Sequence, residues 1–413
     1  MINGRISAEL LDSRDGLSAK KNEFVLPEGV IYLDGNSLGP MPRAAQIRSR
    51  EVVENQWSND LITSWNKHQW IDLPELVGAK IAPLIGAKPT EVICCDSVSV
   101  NLFKLLALGL QLQPGRTKIL SQRDNFPTDL YIAQGLQKIL SSEQCELIAV
   151  DEADIESFLT EDIAILTLTQ VNFRSGQVHN IKKLTEKAHQ KGILVIWDLA
   201  HSAGVMPIEL DQWNVDFAVG CGYKYFNGGP GAPAFVFAAE RWHSKLNQPL
   251  AGWMGHISPF DFSPEYEGAQ NIKQFLCGTP SVISMAVLDA ALDVYRDLSI
   301  DDVRCKALQL ADFFAFQVSQ SNELDDLVLI SPTKHELRGS QLAYQHSYAY
   351  AICQALIAHG VIADFREPNL LRFGFSPLFL TFSEIEQSVS ILRKIMSEKE
   401  YLKEEFNRRQ KVT

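Results

Sequence analysis

The sequence predicts an α/β fold: a mostly parallel central sheet covered by helices on both faces, followed by a smaller α+β unit. Three observations carry this. Apolar runs and amphipathic patterns alternate through the middle of the chain. Those runs lack strict in/out alternation, as strands buried on both faces do. The rhythm changes after about Pro280, where long helical patterns take over.

Taken in order, "EVICCDS" (91–97) reads as a strand and "VNLFKLLALGLQL" (100–112) as the helix after it. "KILS" (118–121) precedes the helical "TDLYIAQGLQKIL" (128–140), and "IAILTLTQV" (163–171) precedes "KKLTEKAHQKG" (182–192). "ILVIWD" (193–198), "VDFAVG" (215–220) and "APAFVFA" (232–238) follow as strands. "SVISMAVLDAALDVYRDL" (281–298) reads as one long helix leading to a second, "VRCKALQLADFFAFQV" (303–318). The tail gives a short strand, a helix ending at Gly360, two strands near 361–375 and a last helix from about Ser383. The expected domains are a large one over 46–280 and a small one over 281–413, with residues 1–45 packing on the small one.

Composition narrows the function. The 413 residues are 46% hydrophobic and 21% charged, ordinary for a globular chain. A net charge of −12 argues against nonspecific nucleic-acid binding. No apolar run approaches the roughly 20 residues that span a bilayer. The opening "MINGRISAELLDSRDG" lacks the apolar core of a secretion signal. Seven scattered cysteines show no metal-ligand spacing, so reduced thiols in a cytoplasm and no metal site are expected.

Chemistry gathers at strand ends. Asp198 directly follows five apolar residues, and Lys224 follows the next strand, in "CGYKYFNGGPGAP". Alone, the first reads equally well as a turn former and the second as a solvated lysine. Together they suit pyridoxal phosphate, which needs an imine-forming lysine and an acid opposite its ring nitrogen. Tyr223 and Tyr225 would help desolvate the ammonium. The turn opening the helix after 91–97 offers the amides of Val98 and Ser99, and the Ser99 hydroxyl, to a phosphate. An ordinary serine cap is the plainer reading. Phe126 could cover the ring, with Asp129 a second carboxylate nearby; a core residue and a first-turn acid are the alternatives.

With these residues in place the chain resembles kynureninase. The likeness runs through "GNSLG" (35–39), "VNLFKLL" (100–106), "NFPTD" (125–129), "DLAHSAG" (198–204), "GYKYFNGGPGAP" (222–233) and "LAGWMGH" (250–256). It continues through "GTPSVISM" (278–285) to "REPNLLRFGFSPLF" (366–379). The lysine and DxAH framework alone would indicate only the wider fold-type I pyridoxal phosphate group.

The resemblance implies a cytoplasmic homodimer with shared active sites, hydrolysing L-kynurenine, or its 3-hydroxy form, to an anthranilate and L-alanine. That reaction serves tryptophan catabolism and NAD synthesis. By the same resemblance Lys224 carries the cofactor, Asp198 pairs with the ring nitrogen beside His201, and Phe126 stacks. Val98, Ser99 and Tyr223 serve the phosphate, and Thr169 a further cofactor-side position. Trp253 and Thr279 would reach the cofactor from the partner subunit. Arg372 would hold the substrate α-carboxylate; Ser37 and Trp65 would lie near its aryl end. Trp65 and Thr279 lean toward the unhydroxylated substrate. Tyr223 is the candidate acid/base at the ketone. Val98 departs from the hydroxyl residue common among bacterial relatives. The alternatives are another fold-type I enzyme, a cysteine desulfurase or β-lyase, and a non-catalytic pyridoxal phosphate binder.

Overall fold

The computed structural model describes residues 7–410. The first six residues, part of the stretch read for a secretion signal and of the 1–45 segment, lie outside it.

Thirteen strands are present among the described residues. Seven make the central sheet: β2 (Val92–Cys94), β3 (Lys118–Gln122), β4 (Glu146–Val150), β5 (Ile163–Thr169), β6 (Leu194–Asp198), β7 (Phe217–Cys221) and β8 (Ala234–Ala238), with β1 (Ile31–Tyr32) lying elsewhere. The order is β2-β8-β7-β6-β5-β3-β4. β8 runs against both neighbours, and the remaining pairs are parallel. β5, β6, β7 and β8 are buried along their whole length, which explains their unbroken Val/Ile/Phe content. β4 was not anticipated. It is a half-exposed edge strand, and its apolar run, "ELIAV", is weaker.

A second sheet follows, built from β9 (Val328–Leu329), β10 (Gln341–Gln345), β12 (Asp364–Arg366) and β13 (Leu370–Gly374), ordered β12-β13-β10-β9 and fully antiparallel. Three short strands therefore occupy 361–375 rather than two; β11 (Val361–Ile362) pairs in parallel with β1. The segment expected as one helix over 281–298 is α-helical over Val282–Ala291 and tightens to a 3₁₀ turn over Leu292–Tyr295. The next helix begins at Ile300.

Before Arg43 the chain lies against the C-terminal elements. Asp12 accepts hydrogen bonds from the amides of Phe382 (2.7 Å) and Ser383 (3.0 Å), capping helix Phe382–Ser397. Lys306 and Asp15 form a buried pair at 2.6 Å. The Gly374 amide donates to the Leu33 carbonyl at 2.7 Å, which seats the turn after β1 beside β13. No described helix is long and apolar enough to cross a membrane.

Candidate active site

Parallel strands end on one edge of the sheet, and ligands gather beyond such edges. Here register puts Thr169 at the end of β5 beside Asp198 at the end of β6. β7 ends at Cys221, and Lys224 follows three residues on. Together with the turn after β2 and the loop after β3 they enclose a cavity of ≈ 290 Å³. Val98, Ser99, Phe126, Asp129, Thr169, Asp198, His201, Tyr223 and Lys224 all line it.

Each is held for a physical reason. Helix Val98–Leu112 starts at Val98, and its cap is Ser97, whose hydroxyl accepts from the Val100 amide at 3.3 Å. The capping serine is thus one residue before the expected pair. The Val98 and Ser99 amides lie at the first helical positions, which have no intrahelical partner. Helix Pro127–Leu140 starts on proline, with Phe126 as the residue before it, so Thr128 lies inside the first turn rather than capping it. The Phe126 ring is 39% exposed and meets Phe173 edge to face at 5.2 Å.

The carboxylates form a buried pair. Asp198 Oδ1 accepts from the Ala200 amide at 2.8 Å. Asp129 Oδ2 accepts from the Thr169 hydroxyl (3.2 Å) and the Asn125 amide (3.3 Å), while its Oδ1 has no protein partner. Burial, then the charge of Asp198, pushes Asp129 well above the usual carboxylate range. Burial raises Asp198 too, but Lys224, the Ala200 amide and Asp129 oppose it. The two carboxyls therefore titrate as a pair, both raised by burial, with Asp129 raised further by the charge of Asp198.

Lys224 is 9% exposed, with its Nζ 3.0 Å from His201 Nε2. Burial, then the positive charges of Lys224, Arg372 and Arg366, keeps His201 well below the ordinary histidine range. The other ring nitrogen, Nδ1, is a buried atom without a protein partner. The rings beside the ammonium are Phe126 and Tyr223, each 5.9 Å from Nζ. Tyr225, expected as the second flanking ring, instead turns into the core. Burial, then Cys221 and Asp198, raises the Tyr223 phenol above its usual range.

Arg372, on β13, is the residue expected to hold the substrate α-carboxylate. It is 1% exposed and already paired. Nη1 donates to the Phe173 carbonyl at 2.5 Å, and Nη2 to Ser37 Oγ at 2.9 Å and to Asp364. Nε has no protein partner. Asp364 stands opposite Arg372 in the β12–β13 ladder, so the ion pair is a cross-strand pair. Sequence reading missed Asp364, Asn125 and Phe173. A hairpin register centred on "EPN" would have found the first.

Five expected residues do not line this cavity in the single chain: Arg372 and Ser37, paired as above, and Thr279, Trp253 and Trp65. Thr279 lines an adjoining hollow that shares Asp96 and Gly231 with it. Trp253 is 38% exposed and packs on Phe260. Trp65 meets Trp70 edge to face at 6.0 Å.

Pyridoxal phosphate suits what is present: a buried lysine, a buried pair of carboxyls, an open aromatic face and a helix start for an anion. Comparison with known proteins narrows this further. Residues 303–392 match the kynureninase C-terminal domain. A kynureninase from Pseudomonas fluorescens is 43% identical over 407 residues, 98% of each chain. One from Burkholderia mallei (strain SAVP1) is 45% identical over 413 residues, 99% of each. Among solved structures, the apo cysteine desulfurase from Thermococcus onnurineus NA1 superimposes with a TM-score of 0.78 at 17% identity, covering 92% of this chain and 98% of that one. The cystine C–S lyase C-DES in complex with cysteine persulfide gives 0.77 at 17%, covering 89% and 98%. At such identity the structures establish the fold alone, whereas the relatives identical at 43–45% over nearly the whole length place the chain in the kynureninase family.

Proposed function

We propose that the chain hydrolyses L-kynurenine to anthranilate and L-alanine with pyridoxal phosphate bound in the Lys224 cavity. The observation that carries this is the convergence of Lys224, Asp198, His201 and Phe126 on one cavity in a chain of this family. When bound, the cofactor supplies an electron sink conjugated to the substrate α-carbon.

The chain's own groups do the rest. Lys224 is the attachment point and then the base for the α-proton. Asp198 would face the ring nitrogen, with Asp129 beside it. Phe126 would cover one ring face, and the Val98 and Ser99 amides would hold the phosphate. An amide contact makes the missing hydroxyl at Val98 a small loss. The Tyr223 phenol stays protonated at neutral pH, so it can donate a proton at the ketone oxygen and take one back. Arg372, with Ser37 beside it, receives the α-carboxylate.

The reading carries with it a homodimer, a cytoplasmic location and, through Trp65 and Thr279, a preference for the unhydroxylated substrate. A cysteine desulfurase would need a mobile, ionisable thiol. Cys353 instead is buried in helix Ala349–Ala358 and donates to the Ala363 carbonyl, with its thiol pushed up by burial and by Asp364 and Asp34.

The test has two arms. Anthranilate and alanine should appear in equal amounts from kynurenine. Borohydride reduction followed by peptide mass spectrometry should find the cofactor on the peptide containing Lys224 and on none in Lys224→Ala. Label on another lysine would overturn the assignment.

A further inference from the structure

Behind Arg372 the chain gathers more charge than one ion pair needs. Asp364 Oδ2 accepts from Ser37 Oγ (2.7 Å), Arg366 Nη2 (2.8 Å) and Arg372 Nη2. Asp34, in the turn after β1, brings a second carboxylate against Asp364. One buried oxygen on each, Asp34 Oδ1 and Asp364 Oδ1, has no protein hydrogen-bond partner, and neither has Arg372 Nε. Two guanidiniums thus face two carboxylates in a buried volume where a substrate carboxylate is to arrive.

We propose that Asp34 is a positioning residue for substrate recognition: a proton shared by the Asp34–Asp364 pair sets the charge that Arg372 and Arg366 present to the substrate α-carboxylate. This rests on the reading of Arg372 as the carboxylate partner.

Burial of Asp364 and Arg372 makes the charge balance of the cluster matter. With both carboxyls ionised the four groups are neutral together, and an arriving carboxylate meets Asp34 and Asp364 as well as the arginines. With Asp34 protonated the cluster carries one net positive charge, which the substrate balances. Asp364 Oδ2 is engaged by both arginines and Ser37, whereas Asp34 Oδ1 has no protein partner. Burial, then repulsion from Asp364, lifts Asp34 to about 7, so the exchange falls in the working range.

The other groups facing Asp34 do not titrate there. Tyr32 on β1 is raised by burial and by both carboxylates, and Tyr225 by burial. Cys353 is raised by burial, and His201, on the far side of the arginines, is held neutral. Arg366 is lowered by burial and by Arg372, yet its group remains cationic at neutral pH. Binding an anion must then favour the protonated form of Asp34, and the proton comes from solvent.

The probe is 4-(2-aminophenyl)-4-oxobutanoate, the kynurenine skeleton without its α-amino group, titrated into the holoenzyme by calorimetry. Wild type should bind it about thirtyfold more weakly at about pH 8.5 than at about pH 6, with close to one proton taken up at the higher pH, counted from buffers of different ionisation enthalpy. Asp34→Asn should bind tightly at both and take up none. The ketone lacking the carboxylate, 1-(2-aminophenyl)propan-1-one, should be indifferent to pH. Wild-type binding without proton uptake, an unchanged profile in Asp34→Asn, or equal pH dependence with the ketone would each overturn the proposal. The proton count on wild type requires no variant to fold. If Arg372→Lys leaves probe affinity unchanged, the carboxylate reading itself fails. If it weakens the probe while Asp34→Asn matches wild type, only the present inference fails.

Discussion

His201 and Arg372 show how much a single position depends on what surrounds it. The imidazole touches Lys224 and feels two further cations, so its charged form is opposed from three directions. It should show no ring titration from about pH 6 upward in NMR spectra of the apoprotein, well clear of an ordinary histidine near 6.5. A midpoint close to 6.5 would mean that the ring leaves the cavity in solution. Arg372→Lys should lower kcat/KM by on the order of a hundredfold, mostly through KM, because an ammonium cannot hold Phe173, Ser37 and an incoming carboxylate in one plane. Steady-state kinetics checks this, and unchanged KM would count against it. Asp198 and Lys224 were readable because apolar runs end beside them. Asp364, Asp34 and Asn125 were not, since a short polar residue in a turn or hairpin looks alike whether it ends a strand or holds a neighbour.

At the scale of elements, β6 must be set in register for Asp198 to reach the cavity, and a buried side chain at the opposite edge does part of this. Asp216, just before β7, accepts from the Val195 amide (2.9 Å), His189 (2.8 Å), Arg241 (2.7 Å) and the Trp242 indole (2.9 Å). Burial alone would raise its carboxyl, but the bond and charge of His189, the Val195 amide and Arg241 together hold it below the usual value. A carboxyl depressed in the fold contributes stability above its unfolded value, and that contribution is lost as pH falls through the folded one. Asp216→Ala should cost about 3–5 kcal/mol, since it leaves buried donors unpaired. It should also flatten the acid limb of stability. Urea midpoints from neutral pH to about pH 3 would read both; parallel acid limbs in variant and wild type would refute the second. β5 to β8 were legible because each is a nearly unbroken apolar run. β4 and the split of 361–375 into three were not, because edge strands and two-residue bridges carry too few apolar positions to leave a period.

At the scale of the molecule, the single chain completes less of the site than the family reading requires. Trp253, Phe260 and Phe262 pack edge to face in sequence on the surface, 38%, 62% and 78% exposed. A run of aromatics so open to water costs solubility unless something covers it. Thr279 borders the hollow beside the phosphate turn without entering the Lys224 cavity. A second copy related by a twofold axis would cover the aromatics and bring Trp253 and Thr279 to the neighbouring site, each subunit repairing the other. The expectation is quantitative. A Lys224→Ala chain and a Trp253→Ala, Thr279→Ala chain should each be inactive, the first for want of its lysine and the second for want of its partner-side contacts. Unfolded and refolded together in equal amounts, about half the dimers would be mixed, and each mixed dimer has one wholly intact site and one doubly damaged. Activity should therefore return to about one quarter of wild type, with the cofactor reduced by borohydride onto only the chain that keeps Lys224. Mixed dimers verified by mass that recover nothing would make each subunit self-sufficient and leave the surface aromatics to another partner.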